Sequence, residues 1–127
     1  MKVKIDSTPL TGGHAVRGVG AYTRMLSEAL KSNKEIALVD DDSFDVFHYP
    51  YFDLFFHTLP DNLSKPTIVT IHDVIPLLYP NYYMPGIKGK INLKKQTKAL
   101  KKVKYIITDS ETSKKDIIRF LKVPAAK

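Results

Sequence analysis

The sequence has no cysteine, which removes disulfide frameworks, cysteine-based zinc sites and thiol catalysis together and fits a reducing cytosol. No apolar run approaches the roughly 20 residues that a membrane-spanning helix requires. The opening residues, Met1-Lys2-Val3-Lys4-Ile5-Asp6, carry charges where a secretory signal would have an apolar stretch. Internal repeats and low-complexity segments are missing. Arginine is scarce, at three residues. His14, His48 and His57 are scattered without metal-ligand spacing, so no metal is expected, and there is no Ser-His-Asp order or nucleophile elbow.

What remains is average in amount and uneven in placement. The 127 residues suit a single domain, 1–127, and 43% hydrophobic with 26% charged residues argues for a globular chain. The net charge is +7. Residues 1–60 hold six basic and eight acidic groups, a net of −2, and residues 61–127 hold fourteen and five, a net of +9. Such asymmetry points either to an anionic partner (nucleic acid, phosphate or a membrane surface) or to a solubilising lysine face.

Strand and helix signals alternate along the chain. Val3–Asp6 reads as a first strand and 7–18 as a loop punctuated by Pro9, Gly12 and Gly13. Val19, Tyr22, Thr23, Leu26, Ala29 and Leu30 recur at helical spacing, which predicts an amphipathic helix over 20–31. Ile36–Val39 and Asp45–Tyr49 follow as short strands, and Thr67–Ile71 has the near-continuous apolar character of a buried parallel strand. Pro76 and Pro80 argue against a regular helix directly afterwards. Lys88–Lys104 reads as a helix with Leu93, Leu100 and Val103 on one face, Tyr105–Thr108 as a strand, and Glu111–Leu121 as a last helix capped by Ser110. The alternation predicts an α/β fold: a Rossmann-like parallel sheet of about five strands flanked by helices. Two long irregular segments, 50–66 and 73–89, are aromatic, and loops of that length are more often functional than idle.

In an open α/β sheet, ligands bind outside the carboxyl ends of the strands. The chemically capable residues fall at those ends: Arg17, Gly18 and Gly20 after the first strand, His48 and Tyr49 at the third, His72 and Asp73 at the fourth, and Asp109, Ser110 and Glu111 at the fifth. Gly18-Val19-Gly20 opens a helix, as an anion-binding turn does or as a plain loop-to-helix turn does. A dinucleotide fingerprint fits poorly even though Asp40 lies at the right remove: the third glycine is replaced by Thr23, and the glycines come a dozen residues after the strand. His72-Asp73 is able to orient a sugar or phosphate oxygen, or only to cap the strand and start a turn. His57, inside the aromatic run, reads as packing.

Four blocks in order now meet a family pattern. They are Arg17-Gly18-Val19-Gly20-Ala21-Tyr22-Thr23; Phe44-Asp45-Val46-Phe47-His48-Tyr49-Pro50; Lys65 through Leu77 with His72-Asp73 inside; and Tyr105 through Ile118. The chain thereby resembles the N-terminal domain of GT-B-fold glycosyltransferases of family 4. The resemblance implies a retaining transfer of a sugar from a nucleotide-sugar co-substrate to an acceptor hydroxyl, without a metal or resident cofactor. It places Arg17, Gly18 and Gly20 near the donor phosphates and acceptor, His72 as the catalytic contact to the transferred sugar, and His48, Tyr49, Asp73, Ser110 and Glu111 on the acceptor side. It further implies that a C-terminal donor-binding domain, in the same gene or a separate chain, is needed for activity. Two departures stand out. Few residues separate the second strand from Phe44, and the sequence ends at Lys127 before the family's final N-domain strand.

Eight lysines and no acid lie between Lys88 and Lys104: Lys88, Lys90, Lys94, Lys95, Lys98, Lys101 and Lys102, with Lys104 closing the run. The resemblance implies a basic surface leaning on an anionic membrane, and so a cytoplasmic protein peripheral to the inner membrane face; a solvated helix is the plain alternative. Nucleic-acid binding would use the same lysines, but nothing resembles a named nucleic-acid module. A non-catalytic scaffold half that pairs with a partner domain is the other alternative.

Overall fold

The computed structural model describes residues 1–127. It contains strands β1 (Lys2–Ile5), β2 (Ala37–Leu38), β3 (Val46–Tyr49), β4 (Thr67–Thr70) and β5 (Tyr105–Ile107), and helices α1 (Gly18–Ser32), α2 (Ile75–Leu78), α3 (Ile87–Leu100) and α4 (Glu111–Leu121). The strands form one sheet in the order β2-β1-β3-β4-β5 with every neighbouring pair parallel. This is the expected Rossmann-like α/β sheet flanked by helices.

Side-chain alternation divides the sheet between two layers. From β3 and β4, Tyr49 and Val69 belong to the main core, joined by Ile71 just beyond β4, and they meet Leu100, Val103, Ile117 and Leu121 from the α3 and α4 side. The 50–63 segment completes this core with Phe52, Leu54 and Leu59. Each such large apolar side chain contributes roughly 1.5–3 kcal/mol by leaving water. The opposite face presents His48 and Thr70, and Thr70 Oγ1 lies 3.1 Å from the Tyr22 hydroxyl of α1.

One polar residue inside the core was not foreseen. Gln96 of α3 is fully buried, and its Oε1 accepts from Thr58 N, Thr58 Oγ1 and Leu59 N at 2.8–3.0 Å. Its Nε2 donates to Leu59 O at 2.9 Å. A single amide thus satisfies the backbone of a loop that has no secondary-structure partner of its own.

Several expected bounds change. Residues 7–18, expected as plain loop, contain two 3₁₀ turns, Thr8–Leu10 and Gly12–His14. The first helix begins at Gly18 rather than Gly20, and the second strand shrinks to Ala37–Leu38. Pro76 does not prevent helix: it sits in the first turn of α2, where no N–H is needed, and the helix lasts a single turn. The lysine helix ends at Leu100, not Lys104, so Lys101 and Lys102 lie past its last turn. There Lys102 Nζ donates to Asp61 O at 2.8 Å. The last helix keeps its expected bounds, with Ser110 Oγ accepting from Ser113 N at 3.0 Å.

The short connection before Phe44 has a geometric explanation. Leu38 and Val46 pair with Val3 from opposite sides, so the segment 39–45 leaves and re-enters the sheet at one level. It crosses two strand spacings, roughly 10 Å, where seven residues reach more than twice as far. No return helix is needed because β2 is only two residues long.

Candidate functional site: a cleft at the carboxyl edge of the sheet

β4 delivers Ile71 to the core and then His72 and Asp73 to the surface, where a cleft of about 690 Å³ opens. One wall is the start of α1, with Arg17, Gly18, Val19 and Tyr22. The segment after β3, from Tyr51 to Phe56, lines the cleft too, together with Pro76 and Tyr83. Asp109, from the end of β5, completes the floor beside His72. The cleft therefore joins segments that lie far apart in the sequence, at the edge where a parallel sheet exposes ligands.

His72 is held from two sides. Its Nδ1 lies 2.7 Å from Asp109 Oδ2, and its ring meets that of Tyr22 edge to face with centroids 4.8 Å apart. A carboxylate only accepts, so Nδ1 carries a proton and donates it to Asp109. Nε2 has no hydrogen-bond partner in the protein. Behind Tyr22, Thr70 Oγ1 links the tyrosine hydroxyl to His48 Nε2 at 2.9 Å.

The aromatic wall is organised by Asp53. Its Oδ2 accepts from the Tyr51 hydroxyl at 2.7 Å, and its Oδ1 accepts from Phe55 N and Phe56 N at 2.7 and 3.0 Å. Burial and the bond to Asp53 both hold the Tyr51 phenol above its ordinary range, so it stays protonated as a donor. His14 packs its ring 5.0 Å from that of Tyr51.

The expected site residues separate into those in the cleft and those outside it. Arg17, Gly18, His72 and Asp73 come together there. Gly20 does not line it: a Cβ at Gly20 would meet the His14 carbonyl and, at 2.8 Å, the Ala15 Cα and carbonyl oxygen, so its lack of a side chain lets the 14–15 turn lie on α1. His48 and Tyr49 are buried beneath the edge. Desolvation pushes the His48 ring down to about 4 and raises the Tyr49 phenol. Ser110 and Glu111 face a second hollow, of about 580 Å³, between β5, α4 and the residues up to Lys127. Ser110 is occupied as the helix cap. His57, expected to pack, is instead half-exposed 3.9 Å from Asp61. No three or more His, Asp or Glu side chains converge as a metal-binding group. Of the lysines, Lys88, Lys90, Lys94, Lys95 and Lys98 are exposed along α3, away from the cleft.

Sequence reasoning gave no role to Tyr22, Tyr51, Asp53, Phe56 or Tyr83, and left Asp109 as one member of a strand-end cluster. The aromatic run 51–56 was the available signal, because a long irregular segment leaving a strand tip is where binding loops occur.

A parallel α/β sheet flanked by helices, with a cleft at its carboxyl edge, is a Rossmann-like domain. The model of Glycosyltransferase Family 4 matches residues 8–127, and the chain belongs to that family. Searches of curated proteins and of solved structures return no significant match.

Proposed function

We propose that this domain is the acceptor-side half of a retaining glycosyltransferase that moves a sugar from a nucleotide-sugar donor to an acceptor hydroxyl on a glycan or lipid-linked glycan. The observation that carries the reading is His72, a lining residue of the cleft whose Nδ1 is tied to Asp109 and whose other nitrogen is buried with no protein partner. In this reading His72 contacts the transferred sugar, and Arg17 with the N-terminus of α1 faces the donor phosphates. Asp73 and the 51–56 wall receive the acceptor. His48 supports the floor from below rather than touching substrate. The chemistry is positioning and electrostatic stabilisation by the protein, with the nucleotide sugar as co-substrate and no metal of its own.

A donor-binding domain, from the same gene or another chain, closes over the cleft in this proposal, and the 127-residue domain alone does not transfer sugar. Joining it to that domain should give transfer from a nucleotide sugar that His72→Ala abolishes. Transfer by the purified domain alone would overturn the two-half scheme, and full activity of His72→Ala would overturn the assignment of the site.

A membrane-facing role for the lysine helix has one observation in its favour. Tyr82, Met84 and Ile87 are 81–85% exposed immediately before Lys88 and Lys90, an apolar step beside a cationic helix. Interfacial helices combine these two features, each surface lysine adding about 1 kcal/mol on an anionic leaflet. The domain should then co-sediment with anionic liposomes, lose them at high salt, and bind more weakly once Met84 and Ile87 are serine. Equal binding to neutral liposomes, or none at all, removes this role, and with it the location on the inner face of the cytoplasmic membrane.

A further inference from the structure

Resting on the acceptor-side reading, we propose that the aromatic and acidic part of the cleft is a subsite for an uncharged or amino-bearing sugar residue and turns away an anionic one. The chain as a whole carries +7, yet its cleft sets three carboxylates, Asp53, Asp73 and Asp109, against one guanidinium, Arg17.

These carboxylates are not equivalent. Asp53 is committed to its own loop through both oxygens. Asp73 uses Oδ1 to accept from Ile75 N at 2.9 Å, and Asp109 uses Oδ2 for His72. The second oxygen of each has no protein donor, and both residues are exposed. Two free carboxylate oxygens beside one cleft are acceptors for hydroxyl or ammonium groups.

The apolar wall supplies the complementary half. Phe56 is 71% exposed and Tyr83 47% exposed at the cleft, so their rings offer apolar surface to the C–H face of a sugar ring. A carboxylate or phosphate placed there would sit beside like charges that outnumber the single cation, and like-charge juxtaposition is how a site rejects a near-identical ligand. Arg17 is the one Lys or Arg among the lining residues and is outnumbered by the three carboxylates.

The test titrates the 127-residue domain by NMR at low ionic strength with three related compounds. They are a neutral methyl disaccharide, the same compound with its terminal residue oxidised to a uronate, and the same compound bearing an amino group. The neutral and amino forms should shift the ring resonances of Tyr51, Phe56 and Tyr83, with the uronate binding at least tenfold more weakly. Asp73→Asn should narrow that gap to threefold or less; its side-chain oxygen still accepts from Ile75 N, so the turn is kept. Uronate binding as tight as the neutral compound, or no shift of these rings by any of the three, overturns the proposal. Transfer onto an acidic acceptor by the domain joined to its donor-binding half would overturn the charge selection and leave the glycosyltransferase reading standing. Selective binding of the neutral compound without transfer to any acceptor would do the reverse.

Discussion

His72 Nδ1 and Asp109 Oδ2 lie 2.7 Å apart, a hydrogen bond that ties the tip of β4 to the tip of β5 across 37 residues of sequence. It settles which ring nitrogen donates to the carboxylate and which is left buried without a partner. Asp109→Ala should release that constraint, leaving a mixture of tautomers that imidazole ¹⁵N shifts resolve. Asp109→Asn retains an acceptor oxygen and should keep most of the Nδ1–H form. Because the pair is partly exposed, folding stability should change by no more than about 1 kcal/mol in either variant. An unchanged ¹⁵N pattern in Asp109→Ala would show that Asp109 does not orient the ring.

His48 should make the fold acid-sensitive. Its ring is pushed from 6.5 to about 4 by burial, so the folded state holds it neutral while the unfolded chain protonates it. Between those values the unfolded state binds more protons, and stability rises with pH. The contribution is complete above about 6.5 and is lost as the pH falls toward about 4, at roughly 1.4 kcal/mol per unit and about 3 kcal/mol in all. His48→Gln keeps a polar group near Thr70 and removes the titration. Urea unfolding at pH 7 and pH 4.5 should show a smaller loss for the variant than for the parent chain, and identical losses would show that His48 is not the sensitive group.

Two glycines two residues apart should respond in opposite directions. Gly18→Ala places its methyl group in open space and adds helix propensity, so it should be neutral or stabilise by up to about 1 kcal/mol. Gly20→Ala gains the same propensity but drives a methyl group into the backbone of His14 and Ala15. The clash dominates, and a loss of roughly 1–3 kcal/mol is expected. Denaturant midpoints for the two variants measure the difference directly.

Replacing Gln96 by leucine preserves volume but leaves Thr58 N, Leu59 N and Leu59 O without the partner they share. A loss of about 2–4 kcal/mol should follow, since each stranded buried group costs roughly 1–3 kcal/mol before relaxation. Faster amide exchange at Thr58 and Leu59, beyond that of the rest of the core, would locate the effect in the loop; uniform exchange would place it elsewhere.

Much of this architecture can be read from residues that are neighbours in sequence. The run Thr67 to Ile71 has the apolar character of a buried parallel strand, and Ser110 ahead of an amphipathic stretch marked the start of α4. Element ends were less legible. Lys101 and Lys102 continue the lysine pattern, yet α3 stops at Leu100 because the chain must turn Val103 into the core and enter β5. The Pro76 turn shows the same limit: proline excludes the helix interior but not its first turn.

Local pattern thus determined the α/β class, the parallel sheet, the family blocks and the place of His72 at a strand tip, because hydrophobic period, capping and turn chemistry act over a few residues. Tertiary structure decided which strand-tip residues meet. It brought Asp109 to His72 and set the 51–56 aromatics and Arg17 around one cleft, while it buried His48 and Tyr49 and turned Gly20 to packing. The physical reason is strand order and register. Residues that end successive strands share one edge, but the pleat sends alternate side chains to opposite faces, and only the packed neighbours settle which of them reach the cleft.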